Sequence, residues 1–447
     1  MTRFELRTPD WLSVKDALQR VLSSASPLEE QTVPLVDALG RALAHPVRAG
    51  AHLPPWDNSA MDGYAVRSQD VEGATRKAPR SLTVVGETRA GEVAARALGA
   101  GEAIRIMTGA PIPPGADSVI RVEDTDAEGT GGLVKVFSDA DLGRNIRPGG
   151  QDMQEGEEVL QAGATVGAGQ MGLLFATGLR NVRVRRRPRA AILSNGDELA
   201  TQDEFHRVAA GKGIPETNSP TLAAAITLAG AEPILLGIAR DDPEEILRKV
   251  GQAVESGADA LFTSGGASLG EKDLIKRVLL DAGLELEFWR VKMRPGTPFS
   301  FGRIKTPGRP DLPVFGLPGN PASSFVTFQV FGRPFLMALA GHRRVHRPVV
   351  IGVAAEPLRS PSHLTHFFRV TFEGDPARPK VRLTGSQTSG LVRGQGLAQG
   401  LAVLPEGVEE IPEGGRLRVI LLDDLGLGTS EAGYLGEPVD TPYRHPV

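Results

Sequence analysis

The stretch LFTSGGASLGEKDL at 261–274 has the residue types of an anion-binding loop. Its adjacent glycines, Gly265 and Gly266, let backbone N–H groups approach a bound oxyanion closely. A glycine-rich turn between a strand and a helix is also common in any α/β domain. Gly265 and Gly270 have P-loop spacing, but Glu271 stands where that motif requires lysine. The stretch therefore predicts either a plain turn or an anion site of another kind.

Four more polar loops follow strand-like runs in the same part of the chain. They are SNGDEL at 194–199, ARDDP at 239–243, KMRPGTP at 292–298 and GLPGNP at 316–321. In an open parallel sheet, ligands bind outside the carboxyl ends of the strands. We therefore expect the five loops to meet at one edge of a sheet and to form a cleft for a phosphate-rich ligand.

The side chains of these loops supply cations and carboxylates. The candidate cations for an anion are Lys272, Lys276, Arg290, Lys292 and Arg294. The candidate carboxylates are Asp197, Glu198, Asp241, Asp242, Glu271 and Asp273. They suit magnesium, which is typically held by one or two protein oxygens together with substrate phosphates. Helix capping is the alternative for Asp241 or Asp242, because both precede Pro243.

Composition excludes several function classes. The chain has 447 residues, enough for about three domains. Its net charge of −4 provides no global basic field for nucleic acid or an anionic membrane surface. The absence of cysteine excludes disulfides, thiolate metal sites and a cysteine nucleophile. The N-terminal residues carry scattered charges where a signal peptide would need an uninterrupted apolar stretch, which predicts a cytoplasmic protein. No run of about 18 apolar residues occurs, which predicts that no segment spans a membrane.

Periodicity places the loops on regular elements. Helical spacing at 11–24 and in VPLVDALGRALA at 33–44 predicts an opening helical segment. Short β-rich runs follow from about 51, and the basic run RRRPR at 185–189 is interpreted as a solvated linker. From 189, strands and helices alternate, which predicts a doubly wound, largely parallel sheet with helices on both faces. After 345, short strands predict a small β-barrel or sandwich.

Nine motifs stand in the order found in one known family. They include DNSAMDGYAV, RIMTGAPIPPGAD, NIRPGGQD, TSGGASLGEKD, MRPGTPFSFG, GLPGNPASS and GSQTSG. On these motifs the chain resembles the molybdopterin molybdenumtransferases of the bacterial MoeA type, which are similar to the C-terminal domain of gephyrin. The resemblance implies insertion of molybdate into adenylylated molybdopterin, with release of AMP and dependence on Mg²⁺. It also implies a homodimer with composite active sites, and the molybdopterin adenylyltransferase as a further partner.

The predicted fold is a multidomain α/β and β protein with a central, doubly wound parallel α/β domain of the molybdopterin-binding type. The expected parts are a linker and dimerisation domain at 1–50 and 145–187, a β-rich inserted domain at 51–144, the α/β domain at 188–340, a C-terminal β-barrel at 345–423 and an extended or disordered tail at 424–447.

The resemblance also implies roles for individual residues. Catalytic roles fall to Asp57, Thr108, Glu198, Asp241, Asp273, Arg290 and Arg294. Substrate-binding roles fall to Ser264, Gly265, Gly266, Ser268, Lys292, Thr297, Pro318, Asn320, Pro321, Ser386, Arg147 and Asp152. Metal-binding roles fall to Glu271, Asp241 and Asp197.

The chain departs from the family pattern at a few positions. Thr297 stands where many relatives carry lysine, and Asn195 where threonine is usual. Arg290 and Arg294 stand where lysine is frequent, and arginine grips an oxyanion differently. We therefore predict activity with retuned molybdate affinity. Three alternatives remain open: a gephyrin-type scaffold, a nucleotide hydrolase resembling the competence-damage proteins, and a homologue that inserts tungstate.

Overall fold

The computed structural model describes residues 11–92, 96–127, 132–265, 274–361, 363–375 and 378–422. The opening segment is helical only in its first half. Helix α1, Val14–Ser23, begins at Ser13, whose hydroxyl accepts a hydrogen bond from the backbone N–H of Asp16. The helix predicted at 33–44 is wrong, since that segment holds the end of strand β1 (Glu30–Pro34) and a single 3₁₀ turn. Gly40, with φ of +73°, ends any helical continuation, and β1 gains a strand partner at 181–185.

The next part of the chain is rich in strands, as predicted. Its elements are β2 (Val47–Arg48), β3 (Asn58–Ser59), β4 (Gly63–Val66), α2 (Ser68–Val71), β5 (Arg80–Thr88), β6 (Glu102–Ile106), β7 (Ser118–Arg121), a 3₁₀ turn (Val122–Asp124), β8 (Leu133–Val136) and β9 (Ile146–Arg147). Five of the strands form a sheet in the order β7-β4-β6-β5-β8. Tyr64, Ile120 and Val134 belong to its buried core. Strand β9 pairs with β3 and closes this insertion.

The chain then returns to its opening residues. Strand β10 (Glu158–Leu160) pairs with β2, helix α3 spans Ala168–Ala176, and β11 (Asn181–Arg185) pairs with β1. The basic run that follows is not simply a solvated linker. Arg186 donates to both carboxylate oxygens of Asp259 at 2.8 Å and to Glu29 at 2.8 Å. These bonds attach the opening segment to the central sheet, so this arginine serves the fold.

A six-stranded sheet forms the centre of the molecule. The strands of this region are β12 (Arg189–Asn195), β13 (Leu199–Ala200), β14 (Ile214–Pro215), β15 (Glu232–Ala239), β16 (Ala260–Ser264), β17 (Leu284–Phe288), β18 (Met293–Arg294), β19 (Ser300–Ile304) and β20 (Leu312–Leu317). The sheet order is β15-β12-β16-β20-β19-β17. The first four strands are parallel, which confirms the predicted doubly wound arrangement.

The two remaining strands of the sheet differ from the predicted parallel pattern. Strand β19 lies antiparallel to both of its neighbours, because the short connection from β19 to β20 makes a hairpin. Strand β17 consequently runs in the same direction as the four parallel strands. Its carboxyl end, and the loop that follows it, therefore reach the same edge of the sheet as the other loops.

Helices cover both faces of this sheet. They are α4 (Phe205–Ala209), α5 (Asn218–Leu228), α6 (Pro243–Glu255), α7 (Leu274–Asp281), α8 (Pro321–Thr327), a π-helical turn (Phe328–Gly332) and α9 (Arg333–Leu339). Successive residues of β12 enter different cores, Ile192 with α5 and α9 on one face and Leu193 with α6 and α7 on the other. Pro334, the second residue of α9, lacks the N–H that would bond to the carbonyl of Val330 in an ordinary helix, and the π-helical turn lies just before α9.

A closed β-barrel forms the C-terminal part, as predicted. Its elements are β21 (Val349–Ala354), β22 (Leu358–Arg359), β23 (Thr365–Glu373), β24 (Lys380–Leu383), α10 (Arg393–Gly396), β25 (Gly400–Leu404), β26 (Glu410–Ile411) and β27 (Arg416–Leu421). Five strands close in the order β23-β24-β21-β27-β25 and back to β23. Strand β18 of the central region pairs in parallel with β23. The predicted tail at 424–447 lies outside the described residues.

Candidate active site

A cleft of about 560 Å³ opens at the carboxyl edge of the central sheet. Four of the five predicted loops line it, through Asn195 and Glu198, Ser264 and Gly265, Pro298, and residues 318–321. The segment at 214–218 and the barrel residues Gly390 and Val392 complete its wall. The residues that line the cleft are Asn195, Glu198, Leu199, Ile214, Pro215, Glu216, Thr217, Asn218, Ser264, Gly265, Pro298, Pro318, Gly319, Asn320, Pro321, Gly390 and Val392. The convergence of loops expected from the sequence is therefore observed.

Glycine residues, which expose backbone and no side chain, form part of the cleft floor. Gly265 has φ of +115°, and a β-carbon there would clash with the carbonyl oxygen of Asn195. A β-carbon on Gly319 would lie 3.4 Å from the Cα of Gly265. Glycine is thus required at 265 for its close approach to the end of β12, whereas the distance at Gly319 is an ordinary contact. The next predicted ligands of this loop, Gly266 and Ser268, lie outside the described residues.

Two polar residues of the cleft wall were not predicted from the sequence. Asn218 donates from Nδ2 to the hydroxyl of Ser264 at 2.6 Å and to the carbonyl of Gly319 at 2.8 Å. Glu216 accepts at Oε1 from the Ser194 hydroxyl at 2.9 Å and from a backbone N–H at 2.8 Å. The run ETNS before a helix looks like an ordinary helix start, so local pattern gave no sign of these bonds.

The loop after β12 is held by an arginine. Arg240 donates from Nη1 to the carbonyls of Leu199 at 2.9 Å and Asp197 at 3.2 Å. Asn195, a departure from the family pattern, donates to the carbonyl of Ala239 at 3.1 Å and so joins two strand ends. A β-carbon on Gly196 would lie 2.6 Å from the Glu198 carboxylate. These contacts place the exposed carboxylate of Glu198 at the cleft wall.

Two carboxylates beside the cleft could hold a divalent cation. The backbone N–H of Asp241 donates to Oδ1 of Asp197 at 3.1 Å, which brings the two residues together. Asp242, and not Asp241, caps α6 by accepting from the N–H of Glu244 at 3.1 Å. The carboxylate of Asp241 is therefore not used by the cap.

The donor set of Asp197 and Asp241 consists of the carboxylate oxygens that Mg²⁺ prefers. Within the described ranges, no group of three histidine, aspartate or glutamate side chains is arranged to hold a metal. The predicted residues Glu271 and Asp273 belong to 266–273, outside those ranges. A site here would thus rest on two described carboxylates, a number that suits a cation also bound to phosphate and water.

The predicted cations of the loop after β17 have specific partners. The guanidinium of Arg290 lies 3.8 Å from the ring centre of Trp289, and its Nε is buried with no hydrogen-bond partner among the described residues. Lys292 forms an ion pair with Glu406 of the barrel at 3.1 Å. Arg294 lies in β18, paired with the barrel. The unpaired Nε of Arg290 is buried, and none of these three residues lines the cleft formed by the described part of the chain.

The hydroxyl of Thr297, a predicted substrate ligand, has a contact within its own loop. It donates to the carbonyl of Met293 at 2.6 Å. This bond closes the loop on itself, as does the bond from the N–H of Val291 to the Thr297 carbonyl at 3.1 Å. The structure therefore gives Thr297 a loop-holding contact, where the sequence predicted a substrate contact.

The barrel contributes one wall and a buried arginine. Asn320 donates to the Ser389 hydroxyl at 3.1 Å, and Ser386 lies 3.0 Å from the Thr388 hydroxyl. Arg369, fully buried, donates from Nη2 to the carbonyls of Ser386 and Thr388 at 3.3 Å each. Its Nε and Nη1 have no partner among the described residues, and burial lowers its pKa. Arg369 was not predicted as a site residue, because it lies within a largely apolar strand.

The predicted residues of the inserted sheet lie together but away from the cleft wall. Asp57 accepts from the N–H of Gly149 at 2.8 Å, and the N–H of Asp152 donates to the carbonyl of Leu53 at 2.9 Å. Arg147 lies in β9. The remaining predicted residue is Thr108, which donates to Asp62 at 2.7 Å, and bonds from its N–H and hydroxyl lower the pKa of that aspartate. None of these residues lines the cleft formed by the described part of the same chain.

Comparison with known proteins places the chain in a family. Residues 12–178 match the model of the MoeA N-terminal region (domain I and II), residues 191–338 a probable molybdopterin binding domain, and residues 352–422 the MoeA C-terminal region (domain IV). A molybdopterin molybdenumtransferase from Nostoc is 36% identical over 416 residues, covering 92% of this chain and 94% of the relative. The chain belongs to the MoeA family. Molybdopterin molybdenumtransferase 2 of Mycobacterium tuberculosis is 38% identical, covering 87% of this chain and 94% of the relative.

Solved structures confirm the MoeA fold. A molybdopterin biosynthesis MoeA protein from Pyrococcus horikoshii OT3 has a TM-score of 0.80 at 27% identity, over 92% of this chain and all of that one. A second structure of a Pyrococcus MoeA protein has a TM-score of 0.74 at 32% identity, over 92% of this chain and 99% of that one. The family expected from the ordered motifs is therefore confirmed, as is the multidomain fold. Among the helices described, none is both long and apolar enough to cross a membrane.

Proposed function

We propose that this MoeA protein inserts molybdate into the dithiolene of adenylylated molybdopterin, with release of AMP, in the biosynthesis of the molybdenum cofactor. The observation that carries the proposal is the cleft floor formed by Gly265, Ser264 and the turn at 318–321. The turn opens the continuous helical segment from Pro321 to Leu339, whose positive dipole end favours a phosphate or another oxyanion. Pro321 has no N–H, and the N–H of Ala322 donates to the carbonyl of Ser389 at 3.0 Å. The relatives that bear the name molybdopterin molybdenumtransferase support this assignment.

Groups of different charge in and beside the cleft are proposed to bind different parts of the substrate. The backbone at Gly265 and the positive end of the helical segment that begins at Pro321 favour phosphate. Glu198 also lines the cleft. Mg²⁺, held by Asp197 and Asp241, would spread the negative charge that develops on the leaving phosphate. Because the reacting thiolates belong to the substrate, a chain without cysteine suffices.

A cytoplasmic homodimer completes the proposal. Asp57, Arg147, Asp152 and Thr108 do not reach the cleft of their own chain, so we propose that they serve the cleft of a second copy. Inactive variants Asp57→Asn and Glu198→Gln test this idea, since a mixed dimer would contain one intact site. Recovery of AMP release on mixing supports the composite site, and additive inactivity contradicts it. The molybdopterin adenylyltransferase, which makes the adenylylated substrate, is the proposed transient partner.

The decisive experiment supplies adenylylated molybdopterin, Mg²⁺ and molybdate to the purified protein. AMP release should require molybdate, and parallel reactions with tungstate measure which oxyanion is preferred. AMP release without either oxyanion would refute the transferase and favour a nucleotide hydrolase. No contact in the described structure favours a gephyrin-type scaffold, and the match to curated transferases over most of the chain supports the enzyme.

A further inference from the structure

Glu216 presents one free carboxylate oxygen at the cleft wall. Its Oε1 accepts from the Ser194 hydroxyl at 2.9 Å and from the N–H of Ser219 at 2.8 Å. Within the described residues, Oε2 accepts no hydrogen bond. The two bonds on one oxygen fix the orientation of the carboxylate, and Ser194 is itself buried at the end of β12. The free oxygen is thus held rigidly and not left to move with solvent.

Asn218 offers a second acceptor on the same segment. Both hydrogens of its Nδ2 are used, by the Ser264 hydroxyl at 2.6 Å and the Gly319 carbonyl at 2.8 Å. Its Oδ1 accepts no hydrogen bond from the residues that the structure describes. Glu216 and Asn218 both line the cleft. Thr217, between them, also lines the cleft, and its hydroxyl can donate or accept. The two groups whose orientation is fixed by hydrogen bonds, Glu216 and Asn218, are therefore both acceptors.

A pair of oriented acceptors favours one kind of ligand edge. A carboxylate accepts hydrogen bonds and donates none. The 2-amino and N3–H groups of a pterin form two adjacent donors, whereas the Watson–Crick edge of adenine alternates a donor with an acceptor. Of the two rings in adenylylated molybdopterin, only the pterin presents a pair of donors to this wall.

The charges of the cleft give the ligand a direction. Glu198 and Glu216 both line the cleft, and their segments are joined by the bond from the N–H of Ile214 to the carbonyl of Glu198 at 2.9 Å, so a phosphate would be repelled there. The backbone of Gly265 and the positive end of the helical segment that begins at Pro321 favour the phosphate. A substrate with a donor-rich ring at one end and phosphate at the other fits only with the ring towards Glu216.

We propose that Glu216 is a specificity-determining residue that binds the 2-amino and N3–H donors of the pterin ring, with the Oδ1 of Asn218 as the neighbouring acceptor. This inference rests on the proposed function and adds the part of the substrate that the segment at 214–218 recognises. A charge-assisted hydrogen bond contributes about 1.5–3 kcal/mol, which corresponds to a change in affinity of roughly tenfold to 150-fold.

The test uses the full-length protein and the variant Glu216→Gln. Glutamine keeps a carbonyl oxygen for Ser194 and Ser219 and turns an NH₂ group, a donor, towards the ring. We expect the Kd of molybdopterin to rise at least tenfold while the Kd of AMP is unchanged. The control is Asp311→Asn, which removes the same charge beside the amino end of β20, at the opposite edge of the sheet. It should change neither Kd.

Competition with ring analogues separates recognition from structure. Wild-type protein should prefer 6-hydroxymethylpterin over 6-hydroxymethyllumazine, which carries an oxo group in place of the 2-amino group, and Glu216→Gln should lose that preference. A variant that keeps the preference, or a wild type without one, overturns the inference even if molybdopterin still binds. A wild type that binds no molybdopterin overturns the proposed function as well.

Discussion

Replacing Gly265 by alanine should damage both the fold and the cleft. The residue has φ of +115°, outside the regions that a residue with a β-carbon occupies readily, and this costs about 1–3 kcal/mol. The added β-carbon would also lie inside contact distance of the Asn195 carbonyl oxygen and 3.3 Å from its carbonyl carbon. Asn195 cannot retreat easily, since its side chain is bonded to Ala239. Overpacking of this kind costs a further 1–3 kcal/mol, roughly.

Together these two costs should lower the unfolding free energy of Gly265→Ala by about 2–6 kcal/mol, measured by urea denaturation. Molybdopterin binding, measured by equilibrium titration at a temperature where the variant is folded, should weaken at least tenfold, because the shifted backbone no longer approaches the phosphate. Gly251→Ala is the matched control. It lies inside α6 with free space around it, so alanine should stabilise by about 0.5–1 kcal/mol. If Gly265→Ala has the unfolding free energy and the molybdopterin affinity of the wild type, the close approach of Gly265 to the end of β12 is incorrect.

Three further outcomes are expected. Asn218→Ala removes the bonds to the Ser264 hydroxyl and the Gly319 carbonyl. It should raise KM for the substrate and lower the unfolding free energy, measured in urea, by about 1–3 kcal/mol. An unchanged KM would contradict its place in the cleft wall. Burial lowers the pKa of His342 from 6.5 to about 4, so the unfolded chain binds the proton more tightly, and unfolding free energy should fall as pH drops from 6.5 to 4. His342→Gln should flatten that profile, and an equally steep one would refute the assignment. Thr297→Lys should lower KM for molybdate at the cost of the bond to Met293, and an unaltered molybdate dependence would count against the retuned affinity.

The sequence predicted the elements with strong periodicity. The alternation after 189 and the short strands after 345 are confirmed, because burial on both faces of the sheet and closure of a barrel both leave a clear apolar pattern. The helix at 33–44 failed where tertiary pairing outweighed periodicity. Strand β19 was missed because the run SFGRI follows a proline-rich loop and contains a glycine.

The site was predicted from its loops more fully than from its side-chain bonds. Loop convergence follows from topology, so Glu198, Gly265 and Asn320 were expected at the cleft and lie there. Bonds between distant residues have no local signature, which is why Asn218 and Arg369 were missed. The metal ligands and the domain boundaries stay predictions.

The pairing of β18 with β23 limits how this protein can be divided. Met293 and Arg294 belong to the central region by chain order, yet their sheet partners, Thr365 and His366, belong to the barrel. A fragment that ends before 345 would leave this backbone without its partner strand. A chimera that takes its barrel from a relative would need residues 289–299 from the same relative. The unit of exchange between MoeA proteins is therefore the barrel together with that loop, although residues 300–348, which hold two further strands of the central sheet, separate them along the chain.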